Sequence, residues 1–160
     1  MNSEPEDKTS ISNFINTNNV LIVKENISKN NLIEKLVEIL CKQDTSLDKN
    51  NILQLVLKRE EGISTTLDTG LSIPHARFEG IDNFKCAFAI LPNAALKDEG
   101  NDIDIKAMFL FVSPARSDFF KKHLNLLSNL SQTFQSQFIS DIISLNSEQE
   151  IFEKIASKSS

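Results

Sequence analysis

Apolar residues recur along the chain in two rhythms, and these divide it into elements. Residues 1–12 show neither: they are polar and charged with a proline at Pro5, and predict a disordered tail. Asn19–Glu25 (NVLIVKE) is an apolar run of strand length. Ser28 then offers an N-cap for SKNNLIEKLVEILCKQ, where Leu32, Ile33, Leu36, Val37, Ile39 and Leu40 make one helical stripe. After the polar connector QDTSLDKNN, Asp48 is a second N-cap. The helix NILQLVLKREEG follows, with Ile52, Leu55 and Val56 on one face, Arg59 in the last turn and Gly62 as a C′ stop.

A hydroxyl-rich loop, ISTTLDTGL, leads to the apolar run GLSIPH. FKCAFAIL (84–91) predicts a strand, LPNAALKDEGND a turn region, and IDIKAMFLFVSP (103–114) a longer strand stopped by Pro114. Ser117 or Asp118 caps the helix DFFKKHLNLLSNLSQTF, whose apolar side holds Phe119, Phe120, His123, Leu124, Leu127, Leu130 and Phe134. QSQFISDIISL and SEQEIFEKIASK read as two more helices, the latter opened by Ser147 and Glu150 in a capping-box pattern. Strand, two helices, strands, then helices predict an α/β fold: a single-domain sandwich over 13–158, its central mixed β-sheet flanked by helices.

Composition narrows the functional classes. The chain has 160 residues, a net charge of −5 and a pI near 5.1. Without clustered Lys and Arg it reads as no nucleic-acid binder. Cys41 and Cys86 lie in helical and strand patterns and read as buried apolar residues, with neither metal-ligand nor disulfide-framework spacing. No signal-peptide pattern is seen at the N-terminus, and no apolar run approaches the ~18 residues of a membrane span. A cytoplasmic location with no embedded segment is the expectation.

Candidate chemistry gathers around GLSIPHARFEG, Gly70 to Gly80. Pro74 fixes its own φ and holds Ile73 extended, so His75 is aimed rather than free to wander. A neutral imidazole is a competent nucleophile near pH 7, provided its other nitrogen donates to a fixed acceptor. A phosphoryl group on it would add about two negative charges. Arg59, Arg77, Ser64, Thr65 and Thr66 supply the cationic and hydroxyl donors such charge needs. His123 is the only other imidazole. Taken singly, each has a plainer reading: His75 as a loop or core histidine, His123 as part of an apolar stripe, Arg59 as a solvated helix end, Ser64–Thr66 as a turn. A metal-dependent hydrolase built on the two histidines lacks a carboxylate set in the same segment.

REEGISTTLDTGLSIPHAR, Arg59 to Arg77, resembles the signature of enzyme IIA domains of the fructose/mannitol class of the bacterial phosphotransferase system, which includes the nitrogen-related IIA proteins. The resemblance extends through FKCAFAIL, IKAMFLFVSP and KKHLNLLSNL and covers roughly 12–157. It implies that His75 is phosphorylated on Nε2, that Arg59 and His123 are its phosphate-site partners, and that Ser64, Thr65 and, in some members, Arg77 lie close by. It implies phospho-HPr or its nitrogen-branch paralogue as donor; no residue cluster in the sequence calls for a metal, and no cofactor is expected. The acceptor would be a cysteine of enzyme IIB; the alternative is a regulatory module whose phosphorylation changes its affinity for a kinase or transporter. Nitrogen-related members commonly have Gly after I-P-H, so Ala76 leans toward the sugar-type pattern.

Overall fold

The computed structural model describes residues 10–93, 96–98 and 102–159. Strand β1 (Val20–Ile22) is followed by helices α1 (Lys29–Gln43) and α2 (Lys49–Gly62). Next come β2 (Leu71–Ser72), β3 (His75–Phe78), β4 (Lys85–Ile90), a short hairpin of β5 (Lys97–Asp98) and β6 (Ile103–Asp104), and β7 (Ala107–Pro114). Helices α3 (Phe120–Thr133), α4 (Ser136–Ile142) and α5 (Glu148–Ser159) complete the chain.

The sheet is mixed. β1 runs parallel to β4, β4 antiparallel to β7, and both β2 and β3 run parallel to β7 along its far edge. Every residue of β7 is buried, because helices cover both of its faces, and its sequence is accordingly an unbroken apolar run from Ala107 to Val112. Alternate residues serve separate cores. Ala107, Phe109 and Phe111 join Phe88, Leu126, Leu130 and Phe134 on the α3–α5 side. Met108, Leu110 and Val112 join Leu36, Val37, Ile52 and Val56 on the α1–α2 side. Gly70 immediately precedes β2 at φ +100; a Cβ there would lie 3.3 Å from the Asp104 carbonyl oxygen, so a side chain would disturb the entry to the strand.

The α/β sandwich agrees with the sequence pattern, and several local expectations are corrected. Residues 1–9 of the expected tail lie outside the described residues. Its last part is ordered: Ile11–Asn13 form a 3-10 turn, and Ile11 is fully buried because its apolar side chain fits the core beneath α3 and α5. The strand expected over 103–114 breaks after Asp104. Ile105 N–H turns to the Leu96 carbonyl and Lys106 N–H to that of Gly70, so β6 belongs to the hairpin. Gly62 is the last helical residue and has no positive φ; the chain leaves the helix at Ile63, φ −141, instead of through a left-handed glycine. Neither Ser117 nor Asp118 caps α3 with its side chain. Ser117–Phe119 form a 3-10 turn, and Asp118 accepts from Arg116 Nε at 3.1 Å. Ser28 and Asp48 cap α1 and α2 as expected. At α5, Glu150 N–H donates to Ser147 Oγ, while the Glu150 carboxylate reaches back to Asn146 N–H, one residue earlier than a capping box would place it.

Candidate active site

His75 opens β3. Pro74 lies between β2 and β3, yet the register against β7 is the same on both sides, and the Pro74 carbonyl still accepts from Phe111 N–H at 3.1 Å. The proline removes one donor from the edge strand without displacing it. The outer edge of this segment is covered by the preceding loop: Ile73 N–H donates to the Thr65 carbonyl and Leu67 N–H to that of Leu71. His75 is therefore a strand residue held from both sides, not the end of a strand.

Its side chain is only 4% exposed. Nδ1 lies 2.7 Å from the Ile73 carbonyl oxygen. A carbonyl only accepts, so Nδ1 carries the proton and Nε2 keeps its lone pair. The ring stacks on Phe111, with centroids 5.1 Å apart and planes 9° from parallel. Burial, reinforced by the Arg59 charge, holds His75 below the ordinary imidazole range, partly opposed by its Ile73 bond and by Glu60.

His123 enters from the first turn of α3, its ring centroid 5.4 Å from that of His75. Its Nδ1 lies 2.6 Å from Ser113 Oγ in β7. Among the described hydrogen bonds Ser113 has no other acceptor, so its hydroxyl donates to Nδ1 and leaves His123 Nε2 carrying a proton. Burial first, then the neighbouring His75, Arg77 and Arg59, lowers His123 from 6.5 to about 4. The pair is thus a bare nucleophilic nitrogen beside a neutral donor.

The remaining expected residues fall into two groups. Arg59 and Arg77 are near enough to bias the histidines electrostatically. Arg59 Nη1 donates to the Ile63 carbonyl at 3.1 Å, closing the end of α2. Arg77 Nη2 donates to the Arg116 carbonyl at 2.7 Å, and its guanidinium lies over Phe120, whose ring stacks in turn on His123. Arg77 Nε is buried with no hydrogen-bond partner among the described residues. The loop hydroxyls are engaged within the protein. Ser64 Oγ contacts the Asp98 carboxylate and Thr66 Oγ1, and Thr65 Oγ1 lies 2.7 Å from Glu60 Oε2 and 2.6 Å from the Ile73 carbonyl oxygen.

Leu55, Phe120 and Leu124, expected on buried faces, are 41%, 46% and 49% exposed. The buried stripe of α3 is narrower than its apolar one and consists of His123, Leu126, Leu130 and Thr133. Two residues of this neighbourhood lack a sequence signal of their own: Ser113 reads only as the polar residue in an apolar strand, and Phe111 as one core phenylalanine among many.

Because both histidines are held neutral, stability has a defined pH dependence. A folded pKa below the unfolded one means the unfolded chain binds more protons in the window between them. For His123 that window runs from 6.5 down to about 4. Its contribution is complete above the window and is lost as pH falls through it. Urea midpoints are expected to drop from pH 7 to pH 4, and His123→Asn is expected to flatten that slope. An unchanged slope in His123→Asn would place the acid sensitivity elsewhere.

The structure thus places a buried, tautomer-fixed imidazole beside a second imidazole, with two guanidiniums in electrostatic reach of the pair. The family described as "Phosphoenolpyruvate-dependent sugar phosphotransferase system, EIIA 2" matches residues 13–158, and the chain belongs to it. A relative, the fructose-specific EIIA component of the phosphotransferase system of Haloferax volcanii, is 26% identical over 131 residues, 82% of this chain and 84% of that protein. Two solved proteins share the fold. The nitrogen regulatory protein IIA-Ntr of Neisseria meningitidis has a TM-score of 0.79 at 24% identity, covering 91% of this chain and 98% of that one. The IIA mannitol protein of Escherichia coli has a TM-score of 0.71 at 18% identity, covering 89% and 99%. It has also been solved in complex with phosphorylated enzyme IIB, with a TM-score of 0.69 at 16% identity, covering 89% and 97%.

Proposed function

We propose that the chain is a phosphoryl carrier in which His75 Nε2 takes the phosphoryl group from phospho-HPr, or a paralogue of HPr, and passes it to a cysteine of an enzyme IIB. The observation that carries this reading is the bond from His75 Nδ1–H to the Ile73 carbonyl, which leaves Nε2 as the free nitrogen of a neutral ring. In the forward step the Nε2 lone pair forms a new N–P bond as the N–P bond of the donor phosphohistidine breaks. The donor imidazole leaves with the bond's electron pair, and the Nδ1 proton stays on His75, donated to the Ile73 carbonyl. The leaving and attacking groups are both imidazoles, so positioning and charge stabilisation set the rate.

Arg59, Arg77 and His123 Nε2–H supply that stabilisation in this reading. Arg59 disfavours protonation of both histidines and Arg77 that of His123 before phosphate arrives, and about two negative charges on His75 would turn the influence of these cations into attraction. Arg77 Nε–H, buried without an acceptor, is a donor available to the phosphoryl oxygens. Exposed Ile63, Phe120 and Leu124 give a docking protein apolar surface beside Arg59 and His123. The fructose-specific relative favours onward transfer in a sugar route.

The test is incubation with phosphoenolpyruvate, enzyme I and HPr. The expected product is one phosphate per chain, stable to alkali, lost in acid and mapped to His75. Subsequent addition of a fructose-type enzyme IIB is expected to remove it. A chain that stays unlabelled with every HPr supplied would refute the carrier reading. A chain that is labelled but discharged by no IIB would move the output to regulation of a binding partner.

A further inference from the structure

Phe120 opens α3 half-exposed to solvent, giving up part of the burial that stabilises a phenylalanine in a core. What its ring does touch belongs to the site. It stacks on His123, one turn later in α3, with centroids 6.0 Å apart and planes 12° from parallel. The guanidinium carbon of Arg77 lies 5.2 Å from the same ring's centroid. Arg77 stands two residues after His75 in β3, so both side chains leave one face of the sheet. Its partner in the register is Ser113, which bonds His123 Nδ1. A single aromatic ring from α3 therefore meets a cation from β3 and the second imidazole together.

Arginine has a long side chain with much rotamer freedom, and its donors point one way only when the guanidinium plane is fixed. Among the described residues, one hydrogen bond and one ring contact act on the Arg77 guanidinium. The bond from Nη2 to the Arg116 carbonyl, at 2.7 Å, holds one corner and leaves the plane free to turn about it. The face of Phe120 opposes that turn, because a guanidinium is attracted to the electron-rich face of an aromatic ring and stacks on it. Nε, buried without a hydrogen-bond partner, is thereby kept in one orientation. We propose that Phe120 is a positioning residue: its ring is the platform that sets the plane of Arg77 beside His123, so that Nε–H stands aligned as a donor to the transferred group.

The part Phe120 plays in transfer rests on the carrier reading; its hold on Arg77 does not. The experiment follows exchange of the Arg77 Nε–H proton with water, by 15N NMR of the full unphosphorylated chain. Labelling rates are measured beside it over a range of phospho-HPr concentrations. Phe120→Leu keeps an apolar side chain for a docking protein and removes the aromatic face; Phe120→Tyr keeps the face. In Phe120→Leu the exchange is expected to quicken and the labelling rate at saturating phospho-HPr to fall, each by roughly tenfold. Phe120→Tyr is expected to restore both to near the wild-type values. Phe120→Met serves the same test if the leucine variant folds poorly. Unchanged exchange in a folded Phe120→Leu or Phe120→Met chain overturns the proposal, and a rise only in the half-saturating concentration of phospho-HPr would then make Phe120 a docking contact. A tyrosine variant that behaves like the leucine one overturns it equally. Faster exchange with an unchanged saturated rate would remove Phe120 from the transfer step. Faster exchange in a chain that no HPr labels would support the hold on Arg77 and defeat the carrier reading instead.

Discussion

His75→Gln is expected to take no phosphate at all from phospho-HPr, although His123, with its ring 5.4 Å away, remains in place. Proximity alone would let the second imidazole substitute. The hydrogen bonds forbid it. The His75 ring has its proton pinned to an obligate acceptor on Nδ1, so its free nitrogen is bare. The His123 ring accepts on Nδ1 from Ser113, so its Nε2 bears hydrogen and donates. In the proposed carrier one attacks and the other stabilises. Glutamine keeps much of the side-chain length and retains an N–H for the Ile73 carbonyl, so the fold should survive at a cost of no more than about 2 kcal/mol. Arg59→Met, by contrast, is expected to slow labelling by about a hundredfold to a thousandfold without abolishing it, as loss of one preorganised charge-stabilising donor does. Acid-labile phosphate appearing on His123 in His75→Gln would mean that the tautomer assignment is wrong. Persistent label elsewhere would remove His75 from the chemistry.

The asymmetry between the histidines marks the limit of what the sequence discloses. The helices and main strands are legible because burial imposes periodicity: Leu32 to Leu40 for α1, and the continuous run of β7 for a strand covered on both faces. The aim of His75 is legible too, since Pro74 acts through the chain itself. Tautomers are not, because they depend on partners brought together by the fold. Ser113 lies 10 residues from His123 and acts across two elements. The Ile73 carbonyl belongs to a backbone that any residue would supply. Ser64 and Thr65 show the same limit from the other side. Hydroxyls beside a phosphate-site histidine suggest ligands, yet here they meet Asp98, Glu60 and Ile73. The break before β7 is similar, for Ile105 and Lys106 have strand-like neighbours and leave the strand only because Leu96 and Gly70 offer them carbonyls.

Phe111→Ala is expected to couple stability and activity in a way that another buried phenylalanine does not. Phe111 is fully buried in β7, where its ring supports His75 by stacking and also meets His123 and Phe84. Truncation removes the ring's burial and leaves a cavity under both imidazoles, at a cost of about 3–5 kcal/mol. That is a large share of the roughly 5–15 kcal/mol that holds an ordinary domain folded. The denaturant midpoint should fall steeply with its slope little changed. Phe134→Ala is the matched control: equally buried, but packed against Phe88 and Phe138 on the same side of the sheet with no described ring contact to either histidine. Its stability cost should be similar. Measured well below each variant's unfolding transition, the Phe134 variant should label at close to the wild-type rate. The Phe111 variant should be slower by about a hundredfold, because an imidazole free to tilt into a cavity no longer presents Nε2 along one line. Equal rates in the two folded variants would show that the Ile73 bond and Pro74 suffice to aim His75. A loss under about 1 kcal/mol in Phe111→Ala would show that the core beneath the site closes over the missing ring.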